Sequence, residues 1–152
     1  MKASPYDENN ALREDAQNDD RVAPAAAKRR ISVLAEADAG LRKQCAEALE
    51  QAGFHVEARD SGIEAVVAAR ELQPDLIVLG SQLRDVPARE AIEWLKANAA
   101  LRATPILILG ATPADAIMID ARQSIDVLPR PITTHKIQRA IAEYFPAAKD
   151  GA

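Results

Sequence analysis

Two short apolar runs, each ending in glycine, constrain this chain more than any other feature. Asp75-Leu76-Ile77-Val78-Leu79-Gly80 and Pro105-Ile106-Leu107-Ile108-Leu109-Gly110 each place four large aliphatic residues in a row between polar or turn-forming neighbours. Such runs are too short for helices and suit parallel strands covered on both faces. Ligands of open α/β sheets bind beyond the carboxyl ends of strands of this kind. Here both ends are glycines, which bring no side-chain chemistry of their own.

The neighbouring segments supply the remaining elements. Ile31-Ser32-Val33-Leu34-Ala35 reads as a first strand, and Asp38 as the N-cap of a helix running to about Ala52, with Leu41, Cys45 and Leu49 forming its core stripe. Gly53 stops that helix. His55 to Arg59 alternates as a short edge strand, Asp60-Ser61-Gly62 turns the chain, and Ile63 to Leu72 reads as a second helix. A loop from Ser81 to Pro87 leads to a third helix from Ala88 to about Ala99, with Ala91, Ile92 and Leu95 inward. Thr112, Pro113 and Asp115 mark the start of a short fourth helix. Ile125 to Leu128 is a fifth strand, and Thr133 or Thr134 opens a last helix carrying Ile137, Ala140, Ile141 and Tyr144. Five strands alternating with five helices predict a doubly wound parallel sheet, because parallel strands need crossovers and these crossovers are helical.

Composition narrows the function. At 152 residues the chain suits one domain and a tail, and with aromatics at only 3 % the core must be aliphatic. No run approaches the roughly 18 apolar residues of a membrane span, and MKASPYDENN lacks the apolar centre of a secretion signal. A cytoplasmic protein without membrane insertion is the expectation. Cys45 is the sole cysteine, which excludes an internal disulfide or a cysteine-based metal cluster. A net charge of -4 argues against nucleic acid as the partner. Residues 1–30 hold six acids and six bases with few large apolar side chains, and read as a disordered charged tail. Its residues 1–20 sum to -4 and residues 21–30 to +4. The ordered domain is expected at 31–146, with 147–152 as a flexible end.

From Ile31 to Phe145 the chain resembles the receiver domain of two-component response regulators. The segments "GFHVEARDSGIEAV", "PDLIVLG", "PILILGA" and "VLPRPIT", in this order and spacing, carry the resemblance. It implies a flavodoxin-like fold with strand order 2-1-3-4-5 and a bacterial signalling role. Receivers accept a phosphoryl group on an aspartate ending the third strand, where this chain has Gly80. Their two magnesium-holding acids after the first strand are matched by Ala35 and Glu36, so one carboxylate remains. The hydroxyl residue ending the fourth strand is matched by Gly110, the switch aromatic by Val127, and the phosphoryl-pairing lysine by Arg130. Pro131 still follows Arg130, and in the family the bond before it is commonly cis.

These departures are decisive for phosphotransfer. An acyl phosphate needs a carboxylate nucleophile, and a divalent cation needs several oxygen ligands. Asp75 lies at the far end of the same strand, roughly 3.3 Å per residue away. Asp85 in the next loop and Asp38 beyond Glu36 are the remaining candidates for a displaced site. Ser81 and His135 lack the nucleophile-elbow pattern that a hydrolase would need, Cys45 reads as a buried structural thiol, and His55 as a surface histidine. No catalytic residue, metal site or cofactor is therefore expected.

The sequence reading is a degenerate receiver, not an enzyme, that serves as a protein-interaction module. Its expected partner is a histidine kinase or another signalling regulator. Trp94, which the inward residues of the third helix push toward a flank, is either a binding anchor or a cover for that flank. By resemblance, Arg122, Lys136 and Arg139 decorate the receiver partner face. The alternative is a module that binds an anion or nucleotide in the vacated cleft, with Arg130 as charge partner.

Overall fold

The apolar runs dictate the centre of the molecule. In the computed structural model, which describes residues 29–111 and 124–145, they form the central strand of a five-stranded parallel sheet and the strand beside it. The strands are β1 (Arg30–Ala35), β2 (Phe54–Arg59), β3 (Leu76–Gly80), β4 (Ile106–Ala111) and β5 (Ile125–Pro129). Their order is β2-β1-β3-β4-β5, as the receiver resemblance implies. The described helices are α1 (Ala39–Gln51), α2 (Gly62–Leu72), α3 (Ala88–Ala97) and α4 (Thr134–Tyr144). The helix expected from Thr112, and with it Arg122, falls outside the described residues, as do the tail calls for residues 1–28 and the chain end from residue 146.

Alternation along each strand divides the core into two layers. Val33, Ala35, Ile77, Leu79, Ile106 and Ile108 face α2 and α3, whereas Leu34, Leu76, Val78, Leu107 and Leu109 face α1 and α4. Every residue of β3 is buried. Burying each such aliphatic side chain contributes about 1.5–3 kcal/mol, so the middle strands are the most strongly fixed part of the sheet. Cys45, Ala48 and Leu49 of α1 are buried against the second layer with Phe54.

The boundaries have local causes. Asp38 caps α1 by accepting from the Leu41 N–H at 2.9 Å, Ser61 caps α2 through the Glu64 N–H at 3.1 Å, and Thr133 caps α4 through the Lys136 N–H at 3.1 Å. The third helix stops at Ala97, two residues before the expected end. Asn98 adopts an extended conformation there, and its side chain accepts from the Ala100 N–H, starting a 3-10 turn over Ala99–Leu101. Lys96 Nζ closes the far side of this turn by donating to the carbonyls of Arg102 at 3.0 Å and Thr104 at 2.8 Å. Asp75 secures the other end of the sheet, where its carboxylate accepts from the Ile31 N–H at 2.8 Å.

Candidate functional site at the carboxyl edge of the sheet

Strand register brings the candidate residues together. Ala35 pairs with Leu79, and Gly80 with Leu109, so Glu36 leaves β1 level with Gly80 while Gly110, next to last in β4, stands on the other side. The backbone of Glu36 is pinned by its N–H to the Arg59 carbonyl at 3.0 Å, and its carbonyl accepts from Arg42 Nη1 at 2.8 Å. Its side chain is 7 % exposed and turns inward. A β-carbon built on Gly80 would lie 2.8 Å from the Glu36 Cδ and closer still to Oε1. Glutamate therefore fills the space above Gly80.

A second charged side chain covers the neighbouring glycine. Gly110 has φ +71, a left-handed conformation strained for any residue with a side chain, at an irregularity in the β4–β5 pairing between Leu109 and Ala111. The Arg130 guanidinium lies over it, with Nη2 3.1 Å and Cζ 3.2 Å from the position a β-carbon would take. Arg130 belongs to the loop after β5, where the Arg130–Pro131 bond is cis. Lys136 ties this loop down by donating to the carbonyls of Pro131 at 2.8 Å and Pro129 at 3.3 Å.

The electrostatics follow from burial. Desolvation raises the Glu36 carboxyl above its ordinary value, and the neighbouring Asp38 charge adds to this; the Asp38 N–H, Arg130 and the Ala37 N–H act in the opposite direction. The Asp38 N–H donates to Glu36 Oε2 at 2.9 Å. Burial, reinforced by Glu36, pushes the Cys45 thiol up to about 12, which makes it inert as a nucleophile.

The remaining candidates are dispersed. Ala35 is fully buried in the core below the edge, and Val127 is half-buried against the layer under α2 and α3. Asp85 turns away to the start of α2, where it accepts from the Ser61 hydroxyl at 2.8 Å, the Gly62 N–H at 2.7 Å and the Ile63 N–H at 3.1 Å. No hydrogen bond joins Ser81 to His135, and His55 pairs with Glu57 at 2.7 Å on the surface. Trp94 is half-buried against the core and lines a groove of about 350 Å³ with Ile63, Val66, Val67 and Arg70. Arg139 is exposed beside β5. A recess of about 410 Å³ adjoins the edge, lined by Asp38, Leu41, Gln44, Arg130, Pro131 and Ile132.

The sheet order defines the fold. This is the flavodoxin-like fold of response-regulator receiver domains. It matches chemotaxis response regulator CheY4 of Vibrio cholerae with a TM-score of 0.69 at 18% identity, over 78% of this chain and 100% of that one. It likewise matches the receiver domain of a Pseudomonas aeruginosa sensor histidine kinase, crystallised with magnesium in its active-site cleft, with a TM-score of 0.67 at 22% identity over 77% of this chain and 98% of that one. In sequence, 63 residues, 41% of the chain, are 38% identical to the polar-differentiation response regulator DivK of Brucella ovis and of Brucella abortus. The chain spans about half the length, 51%, of these curated relatives. No family model matches it. The fold is thus the one shared with these receiver domains, and the partial sequence match is to response regulators.

A magnesium ion of the kind that the Pseudomonas structure holds does not fit the residues of this edge. Gly80 offers no side-chain oxygen, Glu36 is pressed against Gly80 and bonded to the Asp38 N–H, and no group of three His, Cys, Asp or Glu side chains suited to a metal occurs among the described residues. The closing of the edge by Glu36 was not legible from the sequence. The available signal was a glutamate, one methylene longer than aspartate, placed level with a glycine on the adjacent strand.

Proposed function

We propose that this chain is a non-phosphorylatable receiver, not an enzyme, that acts in the cytoplasm of a bacterium as a protein-interaction module of a two-component or phosphorelay system. Its partner is a protein of that system, a histidine kinase or another regulator. The carrying observation is the end of β3, where Gly80 supplies no nucleophile and the Glu36 carboxylate fills the space above it. An acyl phosphate needs a carboxylate oxygen free to attack and a cation to neutralise the transferring group. Of the other acids near this edge, Asp85 has its carboxylate bonded to Ser61, Gly62 and Ile63, and Asp38 caps α1 by accepting from the Leu41 N–H. Among the described residues no helix is long and apolar enough to cross a membrane.

The test is incubation of the purified chain with radiolabelled phosphodonor and magnesium, alongside a competent receiver. The reading expects no label on this chain and retained binding to a kinase or regulator in a pairwise assay. Stable, magnesium-dependent label on any carboxylate would overturn it.

The recess between Asp38 and Ile132 favours a second reading, binding of an anion or nucleotide with Arg130 as its charge partner. A saturable thermal shift with phosphate or nucleotides, lost in Arg130→Ala, distinguishes it from the first.

A further inference from the structure

Two independent features of the edge point the same way. Glycine stands at two adjacent strand ends, and each glycine is covered by a long charged side chain from a neighbouring strand or its loop. Glu36 is anchored through both of its backbone polar groups and through its carboxylate; Arg130 sits in a loop fixed by Lys136. A β-carbon at 80 would displace the Glu36 carboxylate, and one at 110 would press on the Arg130 guanidinium at 3.1 Å.

We propose that Glu36 and Arg130 form a built-in lock, in which the two side chains fill the space over Gly80 and Gly110 and hold the carboxyl edge of the sheet in one conformation without a bound ion or phosphoryl group. The inference rests on the reading of this edge as non-phosphorylatable and adds to it a fixed state. The opposite charges of Glu36 and Arg130, standing over the adjacent glycines, attract across the edge. Interiors pack in discrete arrangements, so an edge filled by its own side chains has a single arrangement rather than a pair to switch between.

The test is a double-mutant cycle between Gly80→Ala and Glu36→Ala on the full chain, read by thermal melting, with amide relaxation dispersion on Glu36→Gln and Arg130→Ala. With Glu36 present, Gly80→Ala lowers the melting temperature by about 5 °C or more, because an added β-carbon displaces the carboxylate. In the Glu36→Ala background the same change costs little or stabilises, giving strong coupling. The wild-type edge is expected to show no exchange, and Arg130→Ala to gain microsecond-to-millisecond broadening at Gly80, Gly110 and residues 129–132. Additive effects in the cycle, or exchange at these amides in the wild type, would overturn the lock. Where Gly80→Ala does not fold, Glu36→Gln decides: it keeps the shape and so keeps the edge quiet, whereas broadening in it as strong as in Arg130→Ala would assign the rigidity to charge alone and defeat the packing inference. Phosphoryl labelling is scored separately, so the lock can fail while the non-phosphorylatable reading stands, and the reverse.

Discussion

The Asp85 carboxylate accepts the Ser61 hydroxyl hydrogen bond at 2.8 Å across 24 residues of chain, joining the loop after β3 to the start of α2. It also accepts from the Gly62 and Ile63 N–H groups, two of the donors that a helix start leaves without partners. Desolvation by itself would raise the pKa of this exposed carboxyl, but the bonds from Gly62, Ser61 and Ile63 outweigh that and hold it at about 2. A depressed acid adds stability above its unfolded pKa and loses it as pH falls through the folded value. Asp85→Ala is expected to cost about 1–2 kcal/mol at neutral pH, in the range of a lost helix cap. The wild type should lose this advantage between about pH 4 and pH 2, where the two chains converge. Urea melts at several pH values measure it; an unchanged difference at pH 2 would contradict the assignment.

Restoring the phosphoacceptor alone should not restore phosphorylation. In Gly80→Asp the new side chain must enter the space held by Glu36, and overpacking a filled site costs about 1–3 kcal/mol. The variant is expected to melt below the wild type and to take no label from a phosphodonor in magnesium. Mass spectrometry for an added phosphoryl group reads the outcome, and a stable label on Asp at position 80 would show that the edge opens more readily than its packing implies.

The central strands were legible because parallel strands buried on both faces are written as continuous aliphatic runs, and Leu76 to Leu79 and Ile106 to Leu109 have that form, whereas their order came only with the receiver resemblance. The helix starts at Asp38 and at Thr133 were equally local, whereas Ser61 reads in sequence only as part of a turn. The site was legible only in part. Glu36 and Gly80 are 44 positions apart, and the meeting of their atoms depends on the β1–β3 register and on which way a glutamate rotamer turns. Asp85 reads in sequence as a loose acid near the edge, because nothing local shows that it reaches back to Gly62. Trp94 was left between anchor and cover; its ring packs on the core while it lines the groove with Ile63 and Val67, which remain 53% and 48% exposed.

Cys45 should be silent toward thiol reagents in the folded protein. It is fully buried on α1, and burial followed by the nearby Glu36 charge pushes its pKa up to about 12. The thiolate is the reactive form, so modification at pH 8 requires the chain to open. The rate of labelling by a chromogenic disulfide should follow unfolding through a denaturant series. Stoichiometric reaction within seconds in native buffer would place the thiol at the surface instead.

Lys136 and Arg139 share a helix and a sign, but the structure assigns them different work. Lys136 Nζ donates to the carbonyls of Pro131 and Pro129, so it holds the loop that presents Arg130; Arg139 is exposed one turn further along. An ammonium bonded to two exposed carbonyls is worth about 1 kcal/mol after exchange with water, whereas a solvated surface arginine changes stability by less than about 0.5 kcal/mol. Lys136→Met, which retains the apolar stem, is expected to lower stability by about 1 kcal/mol and to shift the amide signals of Arg130 and Ile132. Arg139→Ala should leave both unchanged and affect only the affinity for a partner that docks on this face. Chemical denaturation and amide spectra of the two variants separate these roles. Equal behaviour would mean that Lys136, like Arg139, is free for a partner, and that the loop keeps its shape without it.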